Sequence, residues 1–223
     1  MKLTKSVLEL LFPPKCVFCR SLMENGNGRI CPRCRRELPL TCSPAPGRYP
    51  HLAAVASPLF YEGNVRQSLL RYKFGGLTAY APVYAELMAE SVRWECPGCE
   101  VITWAPLSRR RRFRRGYDQA QLLAEELGRR LNLPVEPMLR KVRNAPPQSS
   151  MKSAETRRKN IAGCYEALPG RPPAGRRILL VDDIFTTGST LSECASVLKA
   201  AGAGEICGVT AARGRAFPVN TRS

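Results

Sequence analysis

The residues best suited to chemistry lie near the C-terminal end of the chain. Asp182 and Asp183 follow an apolar run, and Thr186, Thr187, Gly188, Ser189 and Thr190 come directly after. Adjacent carboxylates can accept hydrogen bonds from the vicinal hydroxyls of a sugar. Gly188 can take a positive φ, which lets backbone N–H groups converge on an anion. Ser189 or Thr190 would cap a following helix, whose positive end favours phosphate. Together these features describe a pocket for a sugar phosphate. The plainer alternative is a tight strand-to-helix turn with two solvated aspartates and a capping hydroxyl.

A second candidate is the basic run of Arg109, Arg110, Arg111, Arg112, Phe113, Arg114 and Arg115, followed by Gly116, Tyr117, Asp118 and Gln119. So many like charges repel one another unless they are solvated or meet an anion. Read as a loop between a strand end and a helix start, the run falls on the same rim as the acidic pair. Two anionic roles compete there: gripping a pyrophosphate, or tracking a nucleic-acid backbone with Phe113 and Tyr117 as stacking faces. A solvated basic turn is the third reading.

The third candidate is Cys16, Cys19, Cys31 and Cys34, two C-x2-C pairs separated by eleven residues. Each pair places two thiolates on one metal, and the two pairs complete a tetrahedral zinc site with no open position, hence a structural one. Lys15, Arg20, Arg33 and Arg35 would offset the charge of the four thiolates. Cys96 and Cys99 lack a nearby second pair and read as an ordinary turn, although Cys42 and His51 could in principle complete a second site. Cys164, Cys194 and Cys207 fall on apolar patterns and read as core. Residues 170–175 have the glycine spacing of a phosphate-binding loop, but Arg176 and Arg177 replace its Lys-Ser/Thr, so the segment is a turn.

These residues need elements to hold them. Helical periodicity predicts helices over 64–73, 79–93, 117–131 and 189–201, the last closed by Gly202. Apolar runs predict strands over 55–61, 101–105, 177–181 and 205–211. Alternation of this kind implies a parallel sheet covered by helices on both faces. Residues 42–50 read as a linker and residues 140–163 as a long polar loop, and no repeat is present.

The chain has 223 residues, of which 35 are Lys or Arg and 18 Asp or Glu, giving a net charge of +17. That excess favours polyanionic partners: nucleic acid, nucleotides, pyrophosphate or anionic membrane. A hydrophobic fraction of 44% excludes wholesale disorder. No apolar run reaches the ~20 residues that span a bilayer. Residues 1–12 read as a short amphipathic helix and not as a signal peptide, since Glu9 interrupts the apolar stretch and Pro13 ends it. Ten cysteines without an export signal favour metal or redox chemistry over structural disulfides, in a reducing, cytoplasmic setting.

The thirteen residues from Ile178 to Thr190 resemble the phosphoribosyl-pyrophosphate (PRPP) motif of type I phosphoribosyltransferases. Residues 115–119, Arg-Gly-Tyr-Asp-Gln, resemble the Arg-Gly-Phe-Asn-Gln signature of the ComF family, bacterial proteins linked to competence and DNA uptake. Tyr61-Glu62-Gly63, Lys73-Phe74, Pro106-Leu107, Gln148, Arg157 and Asn160 match the same family in order, as does the cysteine head. Tyr117 for Phe is a mild departure, whereas Asp118 for Asn adds a charge and removes an amide N–H₂. The resemblance implies a type I phosphoribosyltransferase-like domain over 61–217. It places a helix and zinc ribbon over 1–43, a linker and first strand over 44–60, and a tail over 218–223. It implies that Asp182 and Asp183 bind the ribose hydroxyls and that residues 186–190 bind the 5-phosphate, with Mg²⁺ accompanying PRPP. It further implies a role in DNA uptake, with single-stranded DNA and the uptake machinery as partners. The alternative is an active phosphoribosyltransferase that moves ribose 5-phosphate from PRPP to a nitrogen acceptor; no residue declares itself as its general base.

Overall fold

The structure, a computed structural model, describes residues 13–23, 29–45, 49–143, 161–170 and 172–215. The expected helix over 1–12, the family matches Gln148, Arg157 and Asn160, and the tail over 218–223 lie outside the described residues. In chain order the elements are α1 (Pro32–Glu37), β1 (Ala54–Ala56), β2 (Leu59–Phe60), α2 (Gly63–Phe74), α3 (Ala81–Glu95), β3 (Val101–Trp104), α4 (Arg109–Arg115) and α5 (Gln119–Leu131). They continue with β4 (Leu139–Lys141), β5 (Tyr165–Ala167), β6 (Ile178–Phe185), α6 (Ser189–Ala200) and β7 (Ile206–Arg213).

The main sheet has the order β1-β7-β6-β3, all parallel, with β2 also paired to β7 beyond β1. The apolar runs of β6 and β7 occupy its centre, as expected for strands covered on both faces. Along β6, Leu179 and Val181 join a core with α2, α3 and α5, whereas Ile178 and Leu180 join a second core with α6 and the β4–β5 pair. Helices therefore lie on both faces of a parallel sheet.

Four elements differ from the expectations. The strand over 55–61 is two short strands, because Pro58 has no N–H for the ladder and Ser57 turns its hydroxyl to Thr210 at 2.7 Å. The strand expected to stop at 181 continues to Phe185, still paired with β7, so the two acids lie within it. The basic run is a helix and not a loop. The expected polar loop over 140–163 begins inside β4, which pairs antiparallel with β5 just beyond the loop, registering Arg140 on Glu166 and Lys141 on Tyr165. Among the described residues no helix is long and apolar enough to cross a membrane.

Candidate functional site

Parallel strands carry their C-terminal ends to one rim of the sheet, where α/β proteins hold ligands. β6 brings Asp182 and Asp183 there, and alternation sends the two carboxylates to opposite faces. On one face Lys73, in the last turn of α2, places Nζ 2.7 Å from Asp183 Oδ2. These side chains are 26% and 13% exposed, so water screens the pair only in part. On the other face Asp182 Oδ1 accepts the N–H of Asp183 at 2.8 Å. Burial, and then the charge of Asp183, push the Asp182 carboxyl up to about 7, while Lys73, that N–H and Lys141 pull against the shift. Lys141 Nζ donates to the Tyr165 hydroxyl at 2.9 Å and lies 4.6 Å from the centre of that ring. Burial, and then neighbouring Arg111, lower its pKa.

The turn after β6 is built around Gly188, whose φ is 72°. Gly188 itself is the N-cap of α6, and no side chain caps the helix; Ser189 and Thr190 are its first two residues. The expectation that Ser189 or Thr190 caps is thus corrected: the left-handed glycine ends the turn one residue earlier, and Ser189 Oγ is 2.8 Å from Thr187 Oγ1. A Cβ at Gly188 would come within 2.9 Å of Phe185 and 3.0 Å of Tyr49, two rings that meet edge to face beneath the turn. Thr186, Thr187 and Thr190 are partly exposed, and Ser189 is buried. The acidic pair, the glycine turn and the uncapped start of α6 therefore share one rim.

Ser108 caps α4, accepting from Arg111 N at 3.4 Å, and left-handed Gly116 closes it. None of its residues is buried, and Phe113 is 92% exposed. Arg109, Arg110, Arg112 and Arg114 project into solvent. Arg115 turns inward, with its guanidinium 4.8 Å from the Phe74 ring centre and Nη1 donating to Gln119 Oε1 at 2.8 Å. Burial lowers its pKa, and nearby Asp183 opposes that shift. Gly116, Tyr117 and Gln119 serve the frame. The Tyr117 hydroxyl donates to the Tyr72 carbonyl, and buried Gln119 accepts from the Tyr72 hydroxyl through its backbone oxygen at 2.9 Å. Asp118 caps α5 through Gln121 N at 3.3 Å and accepts from Leu107 N at 2.7 Å. Both contacts need an acceptor only, so an Asn-to-Asp difference loses no bond here.

Lys141 and Tyr165 are the site residues that sequence reasoning missed, and Lys73 entered it only as a family match. The one signal was a lysine two residues from buried Leu139 in a three-residue strand, too short to read by period.

At the N-terminal end Cys16, Cys19, Cys31 and Cys34 bring all four sulfurs within 4.8 Å of one another. A tetrahedron of Zn–S bonds of about 2.3 Å has edges of about 3.8 Å, so the cluster fits one zinc ion. Backbone N–H groups point at the sulfurs, Cys31 N at Cys16 Sγ and Cys34 N at Cys31 Sγ, each at 3.4 Å. Such bonds stabilise thiolates. Among the described residues this is the one cluster of three or more metal-ligating side chains, so Cys42 and His51 do not assemble with a third ligand. Cys164, Cys194 and Cys207 are buried, as expected; Cys96 is buried and Cys99 half-buried, both within sulfur hydrogen-bonding reach of Cys207.

Comparison with known proteins gives two family matches, a double zinc ribbon domain over residues 7–45 and a phosphoribosyl transferase domain over residues 116–220. Competence protein ComFC of Bacillus subtilis is 29% identical, across 87% of this chain and 82% of its own. The DNA utilization protein YhgH of Escherichia coli K12 is 27% identical, across 88% of this chain and 96% of its own. Over most of its length the chain is similar to the competence and DNA utilization proteins of the ComF family. Competence protein F of Haemophilus influenzae is 38% identical over 109 residues, and the match spans 47% of that protein. Among solved structures, the glutamine PRPP amidotransferase of B. subtilis superposes with a TM-score of 0.44 at 18% identity, covering 64% of this chain and 30% of that one. This chain joins a structural zinc ribbon to a type I phosphoribosyltransferase fold.

Proposed function

We propose that this ComF-like protein binds PRPP or a related ribose 5-phosphate at the β6–α6 rim and single-stranded DNA on the adjoining α4 helix, in the service of DNA uptake. One observation carries the reading: two carboxylates and a glycine turn at an uncapped helix start sit on one rim, with Lys73, Lys141 and Arg115 in electrostatic reach of the acids. The acids offer acceptors to ribose hydroxyls, the amides of the turn and of α6 face the 5-phosphate, and the cations attract a pyrophosphate. Bound Mg²⁺ would neutralise that pyrophosphate, and Asp182 and Asp183 are the carboxylates closest to hand. Exposed Phe113 amid exposed arginines supplies the stacking face and the charge that single strands require. The names of the relatives, competence and DNA utilization proteins, support the uptake role.

Titration calorimetry with PRPP and Mg²⁺, and anisotropy with a single-stranded oligonucleotide, test the two halves separately. Asp183→Asn should weaken PRPP at least ~10-fold and leave DNA binding unchanged. Alanine at Arg109, Arg110, Arg112, Phe113 and Arg114 should weaken DNA by ~10-fold or more and flatten its salt dependence. No heat with PRPP, or an unaltered salt slope, would refute the corresponding half.

Asp182 favours a second reading, since a carboxyl near neutrality is suited to proton transfer. In it the bond from ribose C1 to pyrophosphate breaks, a nitrogen acceptor bonds to C1, and the acceptor proton passes to a base. Release of pyrophosphate only when a nucleobase acceptor is present would establish this transfer.

A further inference from the structure

Four consecutive residues at the end of α2 hold four different parts of the molecule. Arg71 reaches the zinc knuckle: its Nη2 donates to Phe18 O at 2.6 Å and to Val17 O at 3.2 Å, the two carbonyls between Cys16 and Cys19. Tyr72 donates to the Gln119 carbonyl at the start of α5. Lys73 pairs with Asp183, and its carbonyl accepts from Gln119 Nε2 at 3.4 Å. Phe74 lies beneath the Arg115 guanidinium. Residues two apart on a helix point to opposite sides. Arg71 and Lys73 are therefore the two ends of one lever, with the knuckle at one end and the acidic pair at the other.

The knuckle end is packed as tightly as the sheet. Cys16, Val17 and Phe18 are at most 2% exposed and share a core with Val65, Leu69 and Tyr72 of α2. The Phe18 ring meets Tyr84 edge to face at 5.9 Å. The Arg71 Nε is buried without a partner, so the bonds to Val17 and Phe18 are what hold that guanidinium.

We propose that Arg71 is a positioning residue through which the zinc knuckle supports the acidic pair, so that zinc and PRPP bind cooperatively; the inference rests on the ribose-phosphate reading of that pair. Zinc fixes the Cys16–Cys19 turn and thereby aims the carbonyls of residues 17 and 18 at Arg71. Loss of the metal releases the turn, strips a half-buried guanidinium of both acceptors and frees the last turn of α2. Lys73 then leaves Asp183, and the acidic pair loses the side chain that positions Asp183 on its face of the sheet. Thermodynamic linkage makes the effect mutual: if zinc tightens PRPP, PRPP tightens zinc by the same factor.

The test measures the zinc affinity of the full chain by competition with a zinc-selective chelator, with and without saturating PRPP and Mg²⁺, after calorimetry has established PRPP binding. PRPP should tighten zinc about fivefold or more in the wild-type protein. Arg71→Ala keeps all four cysteines and should still bind zinc, at an affinity that PRPP no longer changes. Arg71→Lys retains one donor and should show a reduced linkage; it carries the test if the alanine variant does not fold. PRPP binding to wild-type protein with zinc affinity unaltered, or full linkage in either variant, overturns the coupling and leaves the PRPP reading intact. Absence of PRPP binding by the wild-type protein instead removes the reading beneath it.

Discussion

Asp182 shows most plainly how one residue sets function against stability. Its carboxyl is raised above the ordinary range, so the folded state prefers the protonated form. Stability is then fully present below the unfolded value of about 4 and is lost as pH rises through about 7. Asp182→Asn should accordingly raise the melting temperature at pH 8 by roughly 5 °C, with little change at pH 4, as calorimetry at the two pH values would show. The same variant should lose PRPP, because a sugar hydroxyl donates best to a carboxylate. Wild-type affinity should for that reason climb between pH 6 and pH 8. A melting temperature that falls in the Asn variant at pH 8 would mean that the carboxylate is stabilised by contacts outweighing its burial.

At the scale of elements, Asp118 ties the start of α5 to the segment after β3. Asp118→Ala removes the cap and leaves Leu107 N–H without its acceptor, and should cost about 1–2 kcal/mol in urea unfolding. Asp118→Asn keeps one acceptor oxygen but turns an amide N–H₂ toward the other backbone N–H, so it should recover only part of that loss. No loss in the Asn variant would show that a single acceptor at this position is enough. The long periodic elements were legible in the sequence: α5 presents Ala120, Leu123, Ala124 and Leu127 to the core, and β6 announces itself by its unbroken apolar run. α4 was not, because a helix with no buried face has no apolar period; Ser108 and Gly116 at its ends were the available signals. Nor were β4 and β5, three residues each, whose pairing spans 24 residues between Lys141 and Tyr165. Asp182, Asp183 and the glycine turn could be read because one segment carries them, whereas Lys73 and Lys141 reach the same rim only through tertiary packing.

For the molecule as a whole, the ribbon and the sheet share a core, since Cys16, Val17, Phe18 and Cys34 lie in the same cluster as Leu179 and Val209. Stripping the zinc with a chelator should therefore lower the melting temperature of the entire chain in one cooperative transition. Cys34→Ser should do the same without any chelator. Two separate transitions, with the sheet melting at its original temperature, would show that the head folds alone. The two tryptophans occupy different environments: Trp94 is 88% exposed near the end of α3, while Trp104 is half-buried at the end of β3, beside the strand that carries the acids. Intrinsic fluorescence therefore separates by environment. Red-edge emission quenched by iodide belongs to Trp94, and the bluer, shielded remainder is an optical report from the neighbourhood of the acidic pair. In a Trp94→Phe protein that remainder stands by itself, a label-free signal for whatever comes to occupy the rim.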